Sequence, residues 1–297
     1  MNEINEYMTE QELEQQRAQI WRLDGNSVRT VEAARSFLDA AGFCVMYPVR
    51  SLPLVPSFMG AYCGSSSGLP DAKHAFSDAR SQEATDLMVR LLRERGAYEI
   101  KLLAETELIV SAQVFPFFYA LLSDHNPKAP PKIKAQGAEV SLLAGNLFAS
   151  IQKNGPVSKN ELRELVGGGL SEAAMDRALG ELWSILKIIR VSYTQGQGAS
   201  WDVLYRWAAD AVKEGIDISV PEAISALLSK YLEAAIAATQ EEMEQFFSYL
   251  VPRSKIREAT NALLAARELN FVTVGARSLI QMTPAVAPIE PQRHTHG

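Results

Sequence analysis

Residues 188–207 read IIRVSYTQGQGASWDVLYRW. Two runs rich in β-branched and aromatic residues, 188–193 and 200–205, flank a glycine- and glutamine-rich tip, which is the pattern of a β-hairpin. The chain around it reads as helix. Immediately before it, LSEAAMDRALGELWSILK (170–187) opens on a Ser171 cap and places Ala174, Ala178, Leu182, Ile185 and Leu186 on one helical face. Further back, GPVSKNELRELVGGG (155–169) is a turn and a short helix, with Ser158 and Glu161 spaced as a capping box. A longer helix is expected over 138–153. The order helix, short helix, longer helix, hairpin is that of a winged helix, and the hairpin is its wing. Ile189, Val191, Trp201 and Val203 are expected to close the small core, leaving the tip at Gln195-Gly196-Gln197 free.

The order recurs downstream. SVPEAISALLSKYLEAAIAA (219–238) is a helix capped by Ser219, with a proline near its start. TQEEMEQFFSYL (239–250) is a short helix with Thr239 and Glu242 as capping box, and VPRSKIREATNALLAARELN (251–270) is the longer helix. FVTVGARSLIQM (271–282) is a second hairpin turning at Gly275-Ala276. Upstream, a helix capped by Thr30, an irregular Pro/Gly/Ser loop over 47–70, a helix over 77–95 and two strands around Glu105-Thr106 are compatible with a third, degenerate copy. The expected fold class is mainly α with small β-hairpins, built of tandem winged helices. The expected divisions are an N-terminal α+β domain over 1–125, a basic Pro/Lys linker over 126–137, winged helices over 138–210 and 211–284, and a disordered tail over 285–297.

A chain of 297 residues suits two or three such domains. No apolar run reaches the length of a membrane span. Two cysteines, Cys44 and Cys63, and four scattered histidines give no spacing for a metal site or a disulfide framework, so no metal or cofactor is expected and a cytoplasmic location fits. The net charge of −6 opposes nonspecific attachment to DNA. The charge is uneven, however, and the basic residues collect in a few places.

Tandem winged-helix units in a chain of this size resemble the AlkZ/YcaQ type of crosslink-repair DNA glycosylase. The likeness is carried by GPVSKNELRELVG, ALGELWSILKIIRVSYT, WDVLYRWA and LLAARELNFVTVGARSL, with an echo in ARSFLDAAGFCVMYPVRSLPL. It implies contact with DNA. In that family a Gln-x-Gln or Gln-x-Asp pair shortly after the first helix carries base release. The comparable stretch here, GFCVMYPVRSLPL (42–54), holds neither glutamine nor carboxylate. Gln195 and Gln197 lie instead on a wing tip, which offers no pocket for a flipped nucleotide.

The helix after the turn is the element expected to enter the major groove. The candidate DNA-binding residues are accordingly Arg253, Lys255 and Arg257 at the start of the 251–270 helix and Arg277 on the second wing. Arg177 on the 170–187 helix and the linker lysines Lys128, Lys132 and Lys134 complete the set. Trp183, Trp201 and Trp207 fall on apolar faces and are expected in the core. Three readings stay open: a double-stranded-DNA binder in damage recognition or repair that lacks the usual catalytic pair; a transcriptional regulator or protein-interaction module; and an active glycosylase-like hydrolase. The last would use Asp71, Asp78 or Glu105, beside a pocket lined by Tyr47, Phe58 or Tyr62.

Overall fold

The computed structural model describes residues 6–52, 54–103, 106–133, 140–194 and 198–284. Within them one order of elements occurs three times. The first unit runs α2 (Val31–Ala41), β2 (Phe43–Val45), α3 (Phe58–Cys63), α4 (Ala79–Arg93), β3 (Ala97–Leu103) and β4 (Thr106–Ser111). The second runs α6 (Leu142–Asn154), β5 (Val157–Ser158), α7 (Lys159–Leu165), α8 (Glu172–Ser184), β6 (Ile188–Thr194) and β7 (Gly198–Val203). The third runs α11 (Val220–Ala235), β8 (Ala237–Ala238), α12 (Gln240–Phe247), α13 (Arg253–Ala265), β9 (Leu269–Val274) and β10 (Arg277–Met282). In each, the short first strand pairs antiparallel with the last strand of the hairpin. Before them lie β1 (Glu6–Met8) and α1 (Glu10–Ile20); between them lie α5 (Phe115–Leu122), α9 (Leu204–Trp207) and α10 (Ala209–Asp217).

Local chemistry starts these helices where the sequence indicates. Thr30, Ser171 and Ser219 each accept a hydrogen bond from a first-turn N–H. The Ser158–Glu161 and Thr239–Glu242 capping boxes are both closed. The ends share a finer signature. After the third helix of each unit, one residue turns left-handed: Arg95 (φ 57°), Leu186 (φ 53°) and Arg267 (φ 61°). The next N–H then bonds back to a leucine carbonyl five residues earlier, Gly96 to Leu91, Lys187 to Leu182 and Glu268 to Leu263, each at 3.0 Å. This is a Schellman closure with a bulky residue where glycine is usual. At exposed Arg267 the strain has no packing to offset it. Arg267→Gly is expected to raise stability by about 0.5–1 kcal/mol, or ~2 °C in thermal midpoint; a lower midpoint would contradict the assignment.

Packing corrects the expectation for the 188–203 hairpin. Ile188, Trp201 and Val203 do join the core of the second unit, where Trp183 and Trp201 meet edge to face at 5.2 Å. Ile189 and Val191 do not; they belong to a larger core shared with the first and third units. Because side chains alternate along a strand, β6 is buried on both faces and serves two cores at once. The strand after the tip also ends earlier than expected. Leu204 and Tyr205 begin α9, and the Leu204 N–H donates to the Lys187 carbonyl at 3.1 Å. Trp207 is only half-buried, under the guanidinium of Arg95.

The units are tied to one another by buried polar contacts as well. Glu99 of β3 takes a bidentate contact from Arg190 of β6, and the Trp183 indole N–H donates to the Glu99 carbonyl at 2.9 Å. Burial disfavours the charge on Arg190, but the Glu99 carboxylate outweighs it and holds the guanidinium above its ordinary range. On the other side, Phe43 of β2 stacks on Phe246 of α12 at 4.9 Å. The expected linker is anchored over its described part: Lys187, 1% exposed, donates to Asp124 and to the carbonyls of Asn126 and Ala129. At the N-terminus, residues 6–8 pair with β9 and α1 follows. Lys134, Glu105, Gln195, Gly196, Gln197 and the 285–297 tail lie outside the described residues. No helix among the described residues is long and apolar enough to cross a membrane.

Candidate nucleic-acid interface

The side chains proposed for phosphate contact fall into two groups. The first is on the third unit. Helix α13 buries Ile256, Ala259, Thr260 and Leu263, which turns Arg253, Ser254, Lys255 and Arg257 to the surface. Arg253 is the first helical residue, so its charge adds to the positive end of the helix, where backbone N–H groups also favour an anion. Arg253 has no ion-pair partner among the described residues. Lys255 pairs with Glu258 one turn on, at 2.8 Å, with both side chains exposed. Such a pair is worth little in water and can exchange for phosphate.

Arg257 is different. It makes a bidentate bridge to Glu244 of α12, at 2.6 and 2.9 Å, and the Glu244 side chain is 6% exposed. The hydrogen bond from Arg257 holds the Glu244 carboxyl below the usual carboxylate range. Arg257 therefore braces the two helices flanking the turn at 248–252. Arg277 follows the Gly275-Ala276 turn and is bound by Glu10 of α1, a partner that no local pattern implies.

The second group is on the second unit. The acids of α8, a poor complement to phosphate by themselves, are already engaged. Lys159 of α7 reaches Glu172 and Asp176 at 2.5 and 2.6 Å, and Arg163 pairs with Glu172. Arg177 is exposed and has no ion-pair partner among the described residues. Lys128 and Lys132 are exposed on the anchored 126–133 segment, where the Lys128 carbonyl accepts from Gln152 of α6 at 3.4 Å. Arg50, missed in the sequence, is exposed on the loop after β2. The neighbouring Ser51 carbonyl accepts from Gln245 of α12 at 2.9 Å, so this loop of the first unit is fastened to the third.

That loop begins where the resemblance puts base-release chemistry. Phe43, Cys44 and Val45 are 1%, 0% and 1% exposed and supply packing. Burying Phe43 alone contributes about 2 kcal/mol, which a polar side chain there would forfeit. Where Ser51, Leu52, Leu54 and Val55 meet α12, the cavity is about 10 Å³, room for one water and far too small for a base. Of the other candidates for catalysis, Asp71 and Asp78 are occupied. Asp71 caps a short helical turn and binds the ring of His74, which with burial opposing holds its carboxyl below the usual range. Asp78 caps α4 and is paired with Arg80. Phe58 is fully buried, and the Tyr62 hydroxyl donates to Glu83, with Arg29 lying 3.9 Å over its ring. None of Tyr47, Phe58 and Tyr62 lines the cavity beside α12. Among the described residues no cluster of His, Cys, Asp or Glu could hold a metal ion.

Comparison with known proteins agrees with this architecture. The family model for AlkZ-like DNA glycosylases matches residues 71–295. Among solved structures, the DNA glycosylase AlkZ of Streptomyces sahachiroi is similar in fold, with a TM-score of 0.54 at 15% identity. The match covers 93% of this chain and 70% of that one. No curated protein sequence matches the chain.

Proposed function

Because this chain belongs to the AlkZ-like family of DNA glycosylases, we propose that it binds double-stranded DNA in damage recognition or repair, without releasing bases through the segment after α2. The three repeated units are read as winged helices, with α4, α8 and α13 as the helices presented to the duplex. Arg253, Lys255 and Arg277 on the third unit, and Arg177, Lys128, Lys132 and Lys134 with the second, are assigned to phosphates. Arg257 positions α13 through Glu244. It is assigned to the cytoplasm, a reducing compartment that its two unpaired cysteines fit.

The observation that carries the second half of the proposal is the burial of Phe43, Cys44 and Val45, followed by a loop with no carboxylate, amide or histidine up to Ser57. Chemistry at a flipped base needs a polar group aimed at the sugar or at a water, in a pocket that admits the base. This segment supplies apolar packing and a cavity the size of one water.

The test is direct. The purified protein is titrated against a fluorescent duplex between 50 and 200 mM salt, then incubated with alkylated duplex and assayed for abasic sites. Expected are binding that weakens steeply with salt and no abasic sites above the uncatalysed background. Salt-independent binding, or none, removes the DNA reading. Abasic sites formed at an enzymatic rate remove the statement about base release.

A further inference from the structure

We propose that the N-terminal segment 6–20 is a built-in competitor for DNA, its Glu10 carboxylate occupying Arg277 at the place a phosphate would take. The inference rests on the duplex-binding reading above. Strand β1 adds in parallel to the outer edge of β9, Glu6 beside Val272, Tyr7 beside Thr273 and Met8 beside Val274. Thr9 then caps α1 through a closed capping box with Glu12, so the helix starts alongside the turn that joins β9 to β10. Glu10, the first residue of that helix, arrives at Arg277 and makes a bidentate contact at 2.8 and 3.1 Å. Gly275 permits the approach: it is left-handed at φ 58°, and a Cβ there would lie 3.2 Å from the Glu10 carboxylate.

The rest of the segment is fastened independently of this pair. Leu13 is buried against Val272, Val274 and Leu279. Arg17 donates to the carbonyls of Ala235 and Ala237, and Trp21 to that of Ala234, closing the end of α11. Glu10 is thus held in place by anchors that do not depend on Arg277. Both partners of the pair are half exposed, at 49% and 50%. A phosphate can therefore reach Arg277, but only by displacing a carboxylate already seated there. The arrangement lowers affinity for any duplex and leaves the cation available where other contacts hold the DNA against the unit.

Full-length wild type and the variants Glu10→Gln, Arg277→Gln and the double variant are compared in duplex binding from 50 to 200 mM salt, with Glu14→Gln as a charge-matched control on the same helix. Glu10→Gln is expected to bind roughly two- to five-fold tighter, the span of an exposed ion pair. Its plot of log affinity against log salt should run parallel to that of wild type, because Arg277 meets the same phosphate in both once the carboxylate is displaced. The double variant should match Arg277→Gln alone, and Glu14→Gln should match wild type. Should Glu10→Gln lower the melting temperature, Glu10→Asp, which keeps the charge on a shorter arm, must still fall between the two. Wild-type affinity in Glu10→Gln overturns the proposal while leaving duplex binding intact. Absence of binding in every variant removes the underlying reading instead.

Discussion

Lys187→Met is expected to cost about 3 kcal/mol, a fall on the order of 5–10 °C in thermal midpoint. Lys187 follows the left-handed Leu186, and its ammonium is inside the protein at 1% exposure. A charge so placed persists only if its donors are satisfied. Here they are, by Asp124 at 2.9 Å, the Asn126 carbonyl at 2.6 Å and the Ala129 carbonyl at 3.1 Å. Methionine keeps the apolar stem and deletes the ammonium, leaving two carbonyls and a carboxylate without that donor. Asp124 is partly open to water and recovers some solvation, which places the cost at the low end for a broken buried pair. Adding Asp124→Asn should restore part of the loss, since the uncompensated charge is then removed. Loosening of the 126–133 segment gives an independent readout: trypsin should cut after Lys128 and Lys132 sooner than in wild type. An unchanged midpoint together with unchanged cleavage would show that the anchor is dispensable.

The repeat was legible in the sequence because its signals are local. Alternation in 188–203 and 271–282, the Ser158–Glu161 and Thr239–Glu242 boxes, and the Ser171 and Ser219 caps each act over a few residues. The parts that stayed hidden are of two physical kinds. Strands β5 and β8 are two residues long, too short to show any period. The shared helix closures carry Arg95, Leu186 and Arg267 where glycine is the usual mark, so the strongest structural likeness among the units had no letter to announce it. The second kind is non-local. Glu10 and Arg277 are 267 positions apart, and nothing near either residue implies the other. Ile189 and Val191 were correctly read as buried, yet alternation alone cannot say which core a two-faced strand serves. The candidate site suffered most from this, because a surface cation is defined by its partner. Arg257 looked like Arg253 in the sequence and is distinguished from it only by Glu244.

That distinction decides how the DNA reading is best attacked. Arg253→Glu with Arg277→Glu is expected to lower duplex affinity on the order of 100-fold at 0.1 M salt and to flatten the salt dependence by about 1.8 in log–log slope, two phosphates at roughly 0.9 each. Arg253 sits at the positive end of α13, where reversal sets a carboxylate against the same phosphate its helix favours. Arg277 leads the second strand of the hairpin, and reversal there also faces Glu10, so residual attraction to phosphate is lost from that corner. Arg257 is left out deliberately: a carboxylate in its place would confront the buried Glu244, and loss of binding would then report on unfolding. The control is Lys213→Glu with Arg267→Glu, which are exposed on α10 and just past the far end of α13. Each reversal removes two units of positive charge, so both pairs take the net charge from −6 to −10. If binding follows overall charge, the two double variants lose affinity equally and the assignment of particular residues fails. If the first turn of α13 and the hairpin meet the duplex, the control keeps its slope while the first variant loses nearly two phosphates from it.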